Sequence, residues 1–211
     1  MLGVAAIAGV GSLSSAIVES LQSDGRLLLG GDAEFRLIHR TATPEELGWM
    51  QERGIVSSSV QMRAMAHNPA ADQRTLVELK AVDGAYPLYG SIELAPAQTL
   101  AAALAPQAGR FGAVAEQSLL DRLRLKIGDS GRIGEVSFVL TGRITREPDR
   151  GTDGLTLGPR ILVAAASLPA TQLIQPGSLI NWSYRLKLPP GSDAGAVVRQ
   201  ANAVFPDAGW R

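Results

Sequence analysis

Leu179–Leu188, LINWSYRLKL, carries the cleanest strand signature in the chain: Ile180, Trp182, Tyr184, Leu186 and Leu188 alternate with Asn181, Ser183, Arg185 and Lys187. A period of two is that of a β-strand with one buried and one wet face. Pro189-Pro190-Gly191 ends the run, since proline brings no ladder donor. Ser192 or Asp193 then caps a helix in which Val197, Val198, Ala201, Val204 and Phe205 form an apolar stripe.

The other end of the chain supplies matching elements. In AEFRLIHR, Ala33, Phe35 and Leu37 alternate with Glu34, Arg36 and Ile38, a second strand. Thr43-Pro44-Glu45-Glu46 opens a helix: Thr43 caps, Pro44 suits the first turn and Glu46 closes a capping box. That helix runs through Leu47, Trp49 and Met50 to Gly54. Strands are predicted at Val56–Ala66 and Thr75–Val82, with a turn at Asn68-Pro69 between them. Together the two ends give most of a βαββαβ plan, an antiparallel sheet backed by two helices, whose last strand would start near Trp210.

Between them the texture changes. From Tyr86 to about Gly177 prolines and glycines are dense, with short helical stretches predicted near Gln98–Leu104 and Val114–Leu123. In KIGDSGRIGEVSFVLTGRI, Val136, Phe138, Leu140 and Ile144 alternate with polar neighbours, and Gly128-Asp129 and Gly134-Glu135 supply turns, so a hairpin is expected. A strand at Ile161–Ala165 and a helical turn near Pro169–Leu173 follow. The fold class is therefore α+β, with a small β-rich unit inserted into the βαββαβ unit.

Residues Leu2–Val18, LGVAAIAGVGSLSSAIV, carry no charge. A membrane span needs about 20 apolar residues, and a signal peptide opens on a basic region, whereas the first positive residue here is Arg26. A buried helix, a complete membrane anchor and the outer half of a membrane helix all remain open from the segment alone.

Composition removes several function classes. Lysine plus arginine and aspartate plus glutamate each total 20, so there is no surplus positive charge from which to build a phosphate-binding face. No cysteine occurs, which excludes disulfides and thiolate chemistry, and two histidines, His39 and His67, are too few for a multi-imidazole metal site. Gly9-Val10-Gly11-Ser12 lacks the preceding strand of a dinucleotide fold and the lysine of a phosphate loop. No serine stands in a Gly-x-Ser-x-Gly elbow. The run from Asp149 to Gly154 faintly resembles a calcium loop, but its third ligand position is Gly151 and its twelfth Arg160. Glu45 and Glu46 sit where carboxylates favour a helix dipole. Tyr86, Tyr89, Trp182 and Tyr184 could line a substrate or partner surface, or serve as core and subdomain packing. No catalytic, metal-binding or cofactor-binding residue emerges, and none is expected.

Three segments taken together, VDGAYPLYG (Val82–Gly90), LLDRLRLKIGDSGRIGEVSFVLTGRITREPDRG (Leu119–Gly151) and LGPRILVAAASLPATQLIQPGSLINWSYRLKLP (Leu157–Pro189), resemble the periplasmic domain of MacB- and FtsX-like ABC transporter permeases, in particular their YbbP branch. The ordered YPLYG, EPDRG and LGPR elements carry more of the likeness than the IGD hairpin, and the opening GVAAIAGVGSLSSAI resembles the outer end of a first membrane helix. The resemblance implies three regions: residues 1–30 as that helix end and stalk, residues 31–85 and 178–211 as a ferredoxin-like porter-type subdomain, and residues 86–177 as an inserted sabre-type subdomain. It implies a membrane-embedded permease facing the periplasm, paired with a second copy and with a cytoplasmic ABC ATPase. Through mechanotransmission the ATPase would move this domain to export a hydrophobic substrate or release a lipoprotein, the domain itself doing no bond chemistry. Two other readings stand beside it: a free-standing periplasmic module that binds lipid or protein, and a serine hydrolase.

Overall fold

The computed structural model describes residues 29–38, 40–107, 109–150 and 158–211. The expected end of a membrane helix in residues 1–28 and His39 lie outside the described residues, as does the Gly151–Gly154 part of the calcium-like loop. Among the described residues no helix is long and apolar enough to cross a membrane.

Nine strands form one mixed sheet. In chain order they are β1 (Ala33–Ile38), β2 (Ile55–Asn68), β3 (Gln73–Val82), β4 (Glu93–Ala95), β5 (Phe111–Ala115), β6 (Ser130–Ile133), β7 (Val136–Arg146), β8 (Arg160–Ala164) and β9 (Asn181–Lys187). The helices are α1 (Pro44–Gln51), α2 (Leu100–Leu104), α3 (Gln117–Leu123), α4 (Leu168–Thr171) and α5 (Ala194–Val204). The strand order is β1-β9-β2-β3-β8-β5-β7-β4, with β6 bridging β2 and β7. The sheet is not antiparallel throughout: β3 runs parallel to β8 and β5 to β7.

β9 inserts between β1 and β2, antiparallel to both, and Arg211 exchanges two backbone hydrogen bonds with Arg36 on the outer side of β1. The order Arg211, β1, β9, β2, with α1 and α5 between, follows the expected βαββαβ plan except that no strand is assigned near Trp210 among the described residues. The fourteen-residue β2 joins both parts of the sheet: Ile55–Gln61 pair with β9 and Ser59–Asn68 with β3.

Local chemistry explains the elements. Thr43 accepts from the Glu46 amide at 3.2 Å while Glu46 Oε2 accepts from the Thr43 amide at 2.8 Å, the reciprocal box the sequence predicts. Asp193, rather than Ser192, caps α5 by accepting from the Ala196 amide. Along α5, Ala201 is buried and Val197, Val198 and Phe205 pack on the β1–β9 core, whereas Val204 at the helix end is exposed. That core contains Phe35, Leu37, Trp49, Met50, Tyr184 and Leu186. A second core joins Val60, Met62, Val77 and Leu79 to Leu119, Leu123, Phe138 and Leu140. A third, smaller one holds Leu94, Leu104, Val114 and Leu162.

Two elements differ from expectation. Phe111–Ala115 is a strand, not the approach to a helix, and α3 starts only at Gln117. FGAVA lies between β7 and β8 with Gly112 to Ala115 buried, so it has no wet face to impose alternation. The polar face predicted for β9 is wet only at its ends: Asn181 and Lys187 are exposed, whereas Ser183 and Arg185 are buried, Arg185 meeting Asp149 from the segment following β7.

Candidate functional site

The most distinctive site is an ionic network buried on the sheet face opposite the two large cores. Lys80 lies in the middle of β3 and Arg160 opens β8, and both are completely buried. Arg185 reaches in from β9, and Glu147 and Asp149 come from the segment after β7. Lys80 Nζ donates to Glu147 Oε1 at 2.8 Å, to Asp149 Oδ2 at 2.9 Å and to the Tyr86 hydroxyl at 3.0 Å. The Tyr86 hydroxyl donates to Asp149 Oδ1 at 2.5 Å, and Arg185 closes on Asp149 Oδ2.

Arg160 extends the network across the sheet. Its guanidinium meets Glu147 Oε1 at 2.8 Å and Glu78 Oε2 at 3.0 Å, while its amide donates to Glu116 at the start of α3. Arg150 reaches Glu116 in turn. One short segment, Glu147–Arg150, thereby ties β3, β8, β9 and α3 together. Ionised groups are buried in proteins when each is paired and hydrogen-bonded; here every charge has an ion-pair partner, while Glu78 Oε2 and Glu147 Oε2 make no hydrogen bond among the described residues.

The electrostatics follow the geometry. Burial by itself raises the Asp149 pKa, but the charges of Lys80 and Arg185 and the hydrogen bonds from Tyr86 and Lys80 outweigh it and hold the carboxyl below its ordinary value. Burial first, then the adjacent carboxylates of Asp149 and Glu147, pushes the Tyr86 hydroxyl far up, so it stays protonated and acts as a donor. A carboxyl whose pKa is lowered on folding adds stability above its unfolded value of about 3.9 and loses it as pH falls through the folded value. Urea midpoints measured from pH 6 to pH 2 are therefore expected to fall below about pH 4 in the wild type. They should fall less steeply in D149N, where only other carboxylates, such as Glu46 lowered by Arg40, still titrate. Identical slopes would remove Asp149 from the acid limb.

The four aromatic residues picked from sequence are not one solvent-facing surface. Tyr86 is 8% exposed and Tyr184 5%, so burial takes both out of such a surface. Tyr184 accepts from the Ala42 amide at 2.9 Å and packs beneath α1, while Trp182 lies where the two large cores meet. Tyr89 is the accessible polar partner: its hydroxyl donates to Asp32 at 2.7 Å and Lys187 sits 5.0 Å from its ring centroid. His67 faces Asp72 at 3.3 Å, a surface pair.

Sequence reasoning named none of Lys80, Glu147, Arg160 or Arg185 as site residues and met Asp149 only in a failed calcium loop. The available signal was a pair of opposite charges two apart in a mostly apolar strand, as Glu78 and Lys80 stand in LVELKAV. Among the described residues no group of three or more His, Asp and Glu side chains is placed to hold a metal ion. The network fixes charge and position, and its Glu78 and Tyr86 also line surface cavities of about 650 Å³ and 260 Å³.

No family model matches the chain. Over 185 residues it is 30% identical to the uncharacterised ABC transporter permease YbbP of Escherichia coli strain K12, an alignment that takes in 87% of this chain and 22% of that protein. The chain is a relative of ABC transporter permeases. It spans about a fifth of the length of that permease. The fold agrees with a domain of a permease protein from Porphyromonas gingivalis, at TM-score 0.53 and 11% identity over 82% of this chain and 81% of that one. The extracellular domain of the ABC-type transporter YknZ from Gram-positive bacteria aligns at TM-score 0.49 and 12% identity, covering 82% of this permease relative and 95% of that domain. The periplasmic region of MacB from Actinobacillus actinomycetemcomitans aligns at 0.49 and 8%, covering 83% and 84%. The resemblance to a permease that the YPLYG, EPDRG and LGPR elements suggest is shown by the match to YbbP.

Proposed function

We propose that this chain is the extracytoplasmic domain of an ABC transporter permease subunit, located on the periplasmic side of the inner membrane. It carries no bond chemistry of its own and is moved by ATP hydrolysis on a separate cytoplasmic ATPase. The observation that carries this reading is the match to the permease YbbP across most of the chain. The buried network fits a part that must transmit force, because it ties β3, β8, β9 and α3 through one segment.

Within this reading the β1–β9 core with α1 and α5 serves as the porter-type subdomain, residues 31–85 and 178–211. Residues 86–177 serve as the inserted sabre-type subdomain. The intact permease works as a pair of copies and exports a hydrophobic substrate or releases a lipoprotein at the outer face of the membrane. Purification of the uncut parental protein from membranes tests the assignment: it should extract only with detergent and bring an ABC ATPase with it, whose turnover responds to deletion of residues 31–211. A parental protein that is fully soluble and has no ATPase partner overturns it.

A further inference from the structure

A groove of about 650 Å³ lies over the central sheet at the ends of β1 and β9, bordered on one side by Glu78 of the buried network. That volume falls in the range of small-ligand sites, roughly 300–1,000 Å³. Its apolar walls are Ile38, Leu76 and Leu179, which are 39%, 40% and 77% exposed. Large aliphatic side chains gathered around one concavity, rather than scattered, mark a binding site.

The groove also carries polar side chains that make no hydrogen bond among the described residues. Gln61 and Asn181 face each other across the β2–β9 ladder, and Arg63 lies two residues along β2. Arg63 stands opposite Glu78 in the β2–β3 register, yet Glu78 gives its carboxylate to Arg160 at 3.0 Å. No hydrogen bond or ion pair engages the side chains of Gln61, Arg63 or Asn181 among the described residues. The groove thus combines aliphatic walls with the Arg63 guanidinium, two amides and the Glu78 carboxylate, whose charge Arg160 offsets.

We infer that this groove binds the acyl chain of a single-chain anionic amphiphile, with its acidic head on Arg63 and the amides of Gln61 and Asn181. Aliphatic walls match a hydrocarbon tail, and the free guanidinium selects a negative head over a neutral one. The inference deepens the proposed function by naming a ligand class, and it rests on that reading only for its transport role.

Binding is tested on the 211-residue chain itself, independently of any ATPase. Palmitate and neutral monopalmitoylglycerol, each below its critical micelle concentration, are titrated into isotope-labelled protein and followed by amide and methyl chemical shifts. Palmitate is expected to shift Ile38, Leu76 and Leu179 together and to bind at least about ten-fold more tightly than the neutral ester, a preference that the charge-assisted contact supplies. R63Q should erase that preference while leaving affinity for the neutral ester unchanged, and L179K should weaken both ligands. Absence of groove shifts with palmitate, or a preference that survives R63Q, overturns the proposal. Shifts seen only with an acidic amphipathic peptide overturn it in favour of a protein partner. These outcomes leave the permease assignment standing, since that fails only if the parental protein lacks a membrane part and an ATPase.

Discussion

Replacing Asp149 with alanine is expected to destabilise the chain by about 3–5 kcal/mol, the cost of removing one partner from a buried charge network. The substitution removes the carboxylate that Lys80 and Arg185 share, leaving Lys80 with Glu147 and Arg185 with Glu34, and takes from the Tyr86 hydroxyl its shorter acceptor. Chemical denaturation followed by circular dichroism reads the effect as a lowered midpoint with an unchanged slope. E93A is the contrasting variant, because the Arg146–Glu93 pair is largely exposed and long at 3.4 Å; its midpoint should match the wild type. If D149A behaved like E93A, the network would contribute nothing net to the fold.

The second large effect is expected from Phe35→Ala, at about 3–5 kcal/mol. The Phe35 ring is 1% exposed, with the Trp210 ring centroid at 4.8 Å and the Trp49 ring edge-on at 6.5 Å. Phe205 links those two indoles, at 6.1 Å from Trp49 and 5.6 Å from Trp210, so the cavity would open where β1, α1 and the chain end meet. Loss of Phe35 should lower the thermal midpoint and red-shift tryptophan emission as water reaches the indoles. An unchanged spectrum would mean that the aromatic cluster is not the seam holding α1 and α5 to the sheet.

The parts of the fold legible in the sequence are those in which apolar and polar residues alternate or a capping side chain marks a helix start. Ala33–Ile38 and Asn181–Lys187 announce themselves by alternation, and the Thr43 box and the Asp193 cap mark helix starts chemically. Phe111–Ala115 is hidden because strands flank it on both sides, leaving small apolar residues with no period. The parallel pairings of β3 with β8 and β5 with β7 join segments far apart in the chain, and no local pattern encodes such a choice.

The site was less legible than the fold. Arg185 reads as the wet side of an amphipathic strand, and its burial depends on Asp149, which arrives from 36 residues away. The same is true of Lys80 with Glu147, 67 residues apart. Periodicity reports which side chains share a face but not what later covers that face. The EPDRG element, quoted for its resemblance to permeases, turns out to hold both carboxylates that neutralise the buried cations.

The length of β2 has a consequence of its own. Fourteen residues of unbroken strand, at about 3.3 Å each, place the Asn68 turn roughly 40 Å from Ile55. A rocking of about 10° at the end paired with β9 would sweep the opposite tip through roughly 7 Å, so a small tilt at one end becomes a displacement the size of an amino-acid side chain at the other.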